Sequence, residues 1–285
     1  MTTLDSNNKL PPGPWKLPFI GNLHQLVGSL PHHILRDLAN QHGPLMHLQL
    51  GEISTIVVSS PEFAKEVLVT QGITFAQRPS VLASSMVTYH SKDIVMAAYG
   101  NYWRQVRKIC TVELFTAKRV HSFQSIREEE VSALLKSMSS NEGLPINLSK
   151  KIFSLTYGII SRAAFGNKCK DQETFASIVQ EIIKLASGFC LADMYPSFRV
   201  LQLISGMRQK LGTLHQKNDK ILQGIINEHR ERLEKGKKGD GEAKEDLITV
   251  LLKIQELGDL EFPLTDKDIK AIIWVSMSVF FFFLR

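Results

Sequence analysis

One ten-residue segment holds the side chains best suited to bind an anionic group. Residues 99–108 read YGNYWRQVRK, in which Trp103 and Arg107 are four positions apart. On a helix this spacing places both side chains on one face. The indole N–H and the planar guanidinium both suit a carboxylate. Arg104 and Lys108 repeat the spacing beside them. The spacing alone also fits a structural alternative, in which Trp103 packs in the core and the cations line a solvated face.

The remaining residue types predict little other chemistry. The three cysteines, Cys110, Cys169 and Cys190, are too few and too scattered for a disulfide framework or a zinc site. The chain contains no G-x-S-x-G elbow, no phosphate-binding Walker loop and no dinucleotide fingerprint. We therefore assign no catalytic residue and no metal ligand within these 285 residues.

The composition is that of a globular protein with a modest positive charge. Hydrophobic residues make up 44% and charged residues 22%, and the formal net charge is +6. An excess this small suits an acidic protein partner or an anionic membrane surface and argues against a nucleic-acid partner. The first ten residues contain no apolar run, so no signal peptide is predicted. The apolar stretch 271–284 is shorter than the roughly 20 residues that span a bilayer.

The first hundred residues mix an extended arm with short elements. Prolines at 11, 12, 14 and 18 exclude a helix and favour a stiff extended arm. A helix is predicted over 31–42, followed by strands over 46–50 and 54–58 with a turn between them. Ser60 and Pro61 are typical of a helix start. Residues 79–99 are predicted to form a long loop or a short distorted helix.

From residue 101 onward the pattern is helical almost throughout. Predicted helices cover residues 101–114, 117–139, 149–165, 173–189, 205–234 and 245–256, and a last one begins at 266. Thr265, Asp266 and Asp268 are typical of the start of that last helix. The predicted fold class is therefore mostly α with a small N-terminal β element.

Several short motifs occur in the order in which one known family carries them. They are PPGP at 11–14, LPFIGN at 17–22, HGPL at 42–45, FAQRP at 75–79, YGNYWR at 99–104, RAAFG at 162–166 and EDLI at 245–248. Together they resemble the N-terminal part of the plant microsomal cytochromes P-450, closest to the group that oxidises terpenoids and other specialised metabolites. The resemblance implies a partial cytochrome P-450 fold that ends early in the long helix called I.

The resemblance also implies roles for individual residues. Trp103 and Arg107 match the family's residues that bond the haem propionates. Residues 79–99 match its first substrate-recognition region, where Met86, Val87 and Ile94 are the expected substrate contacts. The alternative that these three residues only pack the loop down stays open.

The family's iron ligand has no counterpart in this sequence. That cysteine lies in a loop of pattern F-x-x-G-x-R-x-C-x-G, and none of the three cysteines here has this context. The implied domains are a proline-rich hinge (1–22), the N-terminal part of the catalytic domain (23–274) and an aberrant apolar tail (275–285). A monooxygenase truncated before its ligand is the first hypothesis, and a non-enzymatic helical fragment, inert or binding a partner or membrane, is the second.

The resemblance finally implies partners and a location. The intact parent would use haem, take electrons from NADPH through NADPH-cytochrome reductase, and oxidise a small lipophilic substrate. Its expected location is the cytosolic face of the endoplasmic reticulum membrane. Without an anchor in these residues, the chain itself would otherwise be cytoplasmic.

Overall fold

The computed structural model describes residues 10–141, 143–166, 172–186, 190–198, 200, 206–236 and 245–283. Three parts of the sequence predictions lie outside these ranges: the end of the predicted helix 173–189, the first residue of the predicted helix 205–234, and Cys169. The chain divides into two compact units. Unit 1 comprises residues 1–77 and 189–206, and unit 2 comprises residues 78–188 and 207–285.

The described elements are mainly helical. They are α1 Pro31–His42, β1 Leu45–Leu50, β2 Ile53–Val58, α2 Pro61–Lys65, α3 Leu82–Val87, α4 Asn101–Ile109, α5 Ala117–Ser122, α6 Gln124–Ser139, α7 Leu148–Phe165, α8 Gln172–Ala186, α9 Leu191–Met194, α10 Met207–Gly236, α11 Leu247–Leu257 and α12 Asp266–Phe283. A 3-10 turn forms at Leu23–Leu26, and π-helical turns extend α2 (Glu66–Thr70) and α4 (Cys110–Leu114). The predicted fold class, mostly α with a small N-terminal β element, is confirmed.

Unit 1 is built on an antiparallel hairpin. β1 pairs with β2 from Leu45 opposite Val58 to Leu50 opposite Ile53. Alternate β1 residues are buried because successive strand side chains point to opposite faces, and Met46 and Leu48 are fully enclosed. Leu26 and Ala39 complete this small core.

The proline-rich arm is tied to β1 by main-chain contacts and one buried amide. The Asn22 side chain donates to the Trp15 carbonyl at 2.9 Å and accepts the Gln49 amide at 2.8 Å. A Cβ on Gly13 would lie 2.1 Å from the His47 carbonyl oxygen, so only glycine allows this approach. The motif residues of the arm therefore fix it along the strand.

Unit 2 packs its helices around one large apolar core. Phe175 of α8 is fully buried and meets Phe165 and Trp274 edge to face, each at a centroid distance of 6.4 Å. Asn147 caps α7 by accepting the Lys150 amide at 2.9 Å.

The start of α12 is a reciprocal cap. The Thr265 amide donates to Asp268 at 2.7 Å, and the Thr265 hydroxyl accepts the Asp268 amide at 3.4 Å. This arrangement confirms the predicted helix start and satisfies N–H groups that have no partner inside the helix.

One predicted helix needs correction, and one short helix was not predicted. The helix predicted over 117–139 is two helices, α5 and α6, because the Phe123 backbone (φ −92°, ψ 10°) leaves the helical region between them. No glycine or proline marks this break in the sequence. The short helix α9 was not predicted, since four residues are too few for a helical period to show.

Candidate functional site

Helix α4 carries the predicted anion-binding pair. Val106 and Ile109 are buried against the core of unit 2, which fixes the rotation of the helix. The Arg107 guanidinium carbon lies 5.1 Å from the centre of the Trp103 ring, within cation–π range. The prediction that the two side chains share a face is confirmed.

Trp103 and Arg107 differ in whether their hydrogen-bond donors are already used within the described structure. The Trp103 Nε1–H donates to the Ile94 carbonyl oxygen at 2.9 Å, which uses its only donor. The Arg107 side chain is exposed and forms no ion pair with a carboxylate in the described part of the chain. The guanidinium of Arg107 is therefore accessible to an anion. The indole N–H of Trp103 could bind one only after its hydrogen bond to the Ile94 carbonyl breaks.

The neighbouring pair is arranged differently. Arg104 lies over the Tyr99 ring at 5.0 Å and donates to the Tyr99 hydroxyl at 3.1 Å. Lys108 is exposed. Both arginines of α4 thus lie over an aromatic ring, and Arg104 also has a hydrogen bond to the Tyr99 hydroxyl.

The segment over residues 79–99 contains the three predicted substrate contacts. α3 forms within it, as the alternative of a short distorted helix predicted. Val87 is 2% exposed and belongs to the core of unit 2. Met86 and Ile94 are half-buried and pack against that core. The Met86 methyl reaches 3.7 Å from the point where a Cβ on Gly212 of α10 would lie.

The structure brings only one of these residues to the anion-binding pair. Ile94 meets Trp103 through its carbonyl, whereas Met86 lies against α10 instead. The substrate role of all three residues therefore remains a prediction.

A buried carboxylate joins the segment to α4 and α12. Asp268 is 1% exposed, and its Oδ1 lies 2.8 Å from the Tyr102 hydroxyl and 2.9 Å from the Lys92 ammonium. Burial opposes its charge, but hydrogen bonds from Thr265, Lys92 and Tyr102 hold the pKa of Asp268 below its ordinary value. Burial, together with the bond to Asp268, raises the pKa of the Tyr102 hydroxyl.

Sequence reasoning identified Asp268 only as a helix-capping residue. Its position three residues after Thr265 predicts the capping role but no other contact. The contacts with Lys92 and Tyr102 join residues more than 160 positions apart along the chain, and no local signal marks them.

The described cysteines are not poised for metal binding. Cys110 and Cys190 are buried and free of disulfide bonds. Burial raises the pKa of the Cys110 thiol to about 11, so it is protonated near neutral pH. Among the described residues, no group of three or more histidine, cysteine, aspartate or glutamate side chains is placed to hold a metal ion. Within the same ranges, no helix has the length and apolar character needed to cross a bilayer.

Comparison with known proteins gives consistent matches. The family model described as Cytochrome P-450 matches residues 11–278. The premnaspirodiene oxygenase of Hyoscyamus muticus is 49% identical over 94% of this chain and 53% of its own length. Tabersonine 6,7-epoxidase isoform 1 of Catharanthus roseus is 53% identical over 96% of this chain and 54% of its own length. The chain thus spans about half the length of these curated relatives.

Solved structures match at the level of the fold. A zebrafish cytochrome P-450 with abiraterone has a TM-score of 0.70 and 24% identity, covering 88% of this chain and 55% of that chain. A second zebrafish structure, with progesterone, has a TM-score of 0.69. The described helices and hairpin therefore form part of that fold.

Proposed function

Because this chain belongs to the cytochrome P-450 family, we propose that the whole protein is a haem-thiolate monooxygenase. In that reaction one atom of molecular oxygen enters the substrate and the other leaves as water. Two electrons come from NADPH through a reductase. The observation that carries the proposal is the family match over residues 11–278, within which α4 presents an uncommitted Arg107.

The residues of α4 fit the propionate groups of a haem in part. Arg107 would bind one propionate through its guanidinium fork, since it is exposed and unpaired within the described residues. Trp103 would contribute its N–H only after releasing the Ile94 carbonyl. When bound, a thiolate-ligated haem supplies the O–O bond cleavage.

We further propose that the chain of 285 residues does not itself supply the iron ligand. The raised pKa of the Cys110 thiol and its place in the core both disfavour a thiolate there. The ligand loop of the family has no match in the sequence. Taken by itself, the chain would act as a helical fragment without catalysis, which is the second functional hypothesis.

The proposed substrate is a small lipophilic specialised metabolite. Two relatives are named for oxidation of premnaspirodiene and of tabersonine, which supports this class without naming a compound. Met86 and Ile94 would contact it from the segment 79–99. Val87 would act by supporting α3, because its side chain is enclosed in the core.

The proposed setting is the cytosolic face of the endoplasmic reticulum membrane, with NADPH-cytochrome reductase as partner. Unit 1 carries exposed apolar side chains that suit a membrane surface. Trp15 is 67% exposed, Phe19 92% and Val27 79%. The net charge of +6 favours anionic lipid headgroups and an acidic partner protein.

A chimera tests the proposal. The C-terminal half of the premnaspirodiene oxygenase would be joined to this chain, and the carbon monoxide difference spectrum of the reduced protein recorded. We expect a thiolate-type band from the chimera and none from the chain alone. In the chimera, Arg107→Ala should weaken haem binding about tenfold or more, because a hydrogen bond to a charged group is lost.

The matched control is Lys108→Ala, which removes an adjacent exposed cation of α4. Equal loss of haem in both variants, or none in Arg107→Ala, would assign Arg107 to the solvated surface. A thiolate-type band from the chain alone would overturn the proposal on the iron ligand.

A further inference from the structure

Three consecutive residues after α3 have a backbone that side chains disfavour. Tyr89, His90 and Ser91 have φ angles of 53°, 68° and 60°, in the left-handed region, and none is glycine. Left-handed backbone at a non-glycine residue is strained and persists only where surrounding contacts hold it. The contacts of this turn therefore show what keeps it in place.

The main contact is a hydroxyl–carboxylate bond between a buried tyrosine and a half-buried aspartate. Tyr89 is 6% exposed and donates its hydroxyl proton to Asp219 Oδ1 of α10 at 2.7 Å. The Lys270 ammonium of α12 donates to the same oxygen at 2.5 Å and lies 5.8 Å from the Tyr89 ring centre. Burial disfavours the charge on Asp219, but its bonds to Lys270 and Tyr89 lower its pKa. One charged acceptor thus joins the turn to two helices.

The rest of the Tyr89 site gives the ring no second polar anchor in the described part of the chain. His215, one helical turn before Asp219, meets the ring edge on at a centroid distance of 4.8 Å. Its Nδ1 is buried and has no hydrogen-bond partner among the described residues. Burial lowers the pKa of His215, so its ring is neutral near pH 7. Attachment of Tyr89 by hydrogen bonding therefore depends on Asp219.

Hydrogen bonds join this turn to the end of α3. The His90 amide donates to the Ser85 carbonyl at 2.8 Å, and the Thr88 hydroxyl donates to the Ser84 carbonyl at 2.9 Å. These bonds couple the strained turn to the last turn of α3, which carries Met86 and Val87.

We propose that Tyr89, Asp219 and Lys270 form a latch that holds residues 82–91 closed against α10 and α12. The strain in the turn favours opening, and the hydroxyl–carboxylate bond opposes it. When the bond breaks, relaxation of the left-handed turn moves the end of α3 away from α10 and exposes Ala83 and Val87, while the other helices of unit 2 stay folded. Under the proposed function this segment faces the substrate, so the latch would regulate access of the substrate, and that role rests on the proposed function. The latch itself does not depend on haem.

Hydrogen exchange of the 285-residue chain, followed by mass spectrometry, tests the latch. Tyr89→Phe keeps the ring and removes the bond, so amides in residues 82–91 should exchange about threefold to tenfold faster. Ser91→Gly relieves strain, so it should slow their exchange and restore protection when combined with Tyr89→Phe. Peptides from α7 should exchange as in the wild type throughout.

Tyr195→Phe is the matched control, since its hydroxyl bonds to the Phe19 carbonyl in unit 1. Asp219→Asn provides a second route to the open state should Tyr89→Phe fold poorly. Unchanged exchange in both variants, faster exchange in Ser91→Gly, or exchange that rises equally in α7 would overturn the latch. No haem is needed for this experiment, so failure of the proposed function would leave its result intact.

Discussion

Gly166 lies against the carboxylate of Asp246 so closely that a Cβ on the glycine would sit 2.6 Å from Oδ2. Gly166 ends α7 with a left-handed backbone (φ 74°), and Asp246 caps α11 by accepting the Thr249 amide at 2.8 Å. The same Oδ2 lies 3.0 Å from Nε2 of the buried His229 on α10. The end of α7 and the start of α11 therefore meet at the carboxylate of Asp246, and α10 binds the same carboxylate through His229.

Gly166→Ala should strongly destabilise the fold. The left-handed backbone costs about 1–2 kcal/mol for alanine, and the methyl group would also displace Asp246 from its cap. We expect the free energy of unfolding to fall by about 2–4 kcal/mol, measured by urea denaturation followed by circular dichroism. The control is Gly224→Ala within α10, where a Cβ meets open space. This variant should raise the free energy of unfolding by about 0.5–1 kcal/mol. Equal effects of the two variants would contradict this account.

The pair His229–Asp246 predicts a pH dependence of stability. Nδ1 of His229 lies 2.7 Å from the Ile225 carbonyl, which can only accept, so this nitrogen carries a proton. Burial lowers the pKa of His229, but the bonds to Asp246 and Ile225 raise it above its ordinary value. The stabilisation from this pair is therefore fully present below about pH 6.5, which is the pKa of histidine in the unfolded chain. It is lost as the pH rises through the pKa of His229 in the folded chain.

His229→Gln tests this dependence because glutamine does not titrate. The difference in unfolding free energy between wild type and variant should be larger near pH 6 than near pH 9, from urea melts at each. His32→Gln, on the exposed surface of α1, should leave the pH profile of the wild type unchanged. A His229→Gln difference that grows with rising pH would show that the histidine is neutral in the fold.

Local rules predicted most of the fold, and their failures have physical causes. Ser60 and Thr265 cap helices where the sequence predicted them. The bounds of α1 agree with the prediction, although no side chain caps its start and Pro31 takes the first helical position. The break at Phe123 could not be predicted, since neither glycine nor proline lies there to disfavour a helix.

The candidate site was predictable only in its local part. The four-residue spacing of Trp103 and Arg107 follows from helix geometry, and the structure shows it. The carbonyl partner of Trp103 and the carboxylate partner of Tyr89 depend on contacts between distant segments. A single sequence carries no signal for such pairs.

Asp268→Asn should cost more stability than any surface charge change. The amide would no longer attract Lys92 and would weaken the cap of α12 and the bond from Tyr102. We expect a loss of about 3 kcal/mol near pH 7, at the low end for a broken buried pair because Lys92 reaches solvent. The pKa of Asp268 is lowered, so its contribution is present above the ordinary value of about 3.9 and is lost as the pH falls through the folded pKa.

Thermal unfolding at neutral and acid pH checks this prediction. Asp259→Asn changes an exposed carboxylate two residues after the end of α11 and should stay within about 0.5 kcal/mol of the wild type. The gap between Asp268→Asn and the wild type should shrink in acid. A gap that is as large in acid as at neutral pH, or that grows as the pH falls, would contradict a charged carboxylate in the fold.

Trp103→Phe should loosen the segment next to α4 while leaving the helix in place. Phenylalanine keeps an aromatic face for Arg107 but has no N–H for the Ile94 carbonyl, which then loses its bond. Amides in residues 92–97 should exchange with solvent about threefold to tenfold faster, in line with the loss of one hydrogen bond. Arg107→Ala should leave their exchange unchanged, because Arg107 makes no bond to this segment in the described structure. The two variants thus separate the tethering role of Trp103 from the role proposed for Arg107. Equal acceleration in both would show that the segment responds to α4 as a whole and not to the indole N–H.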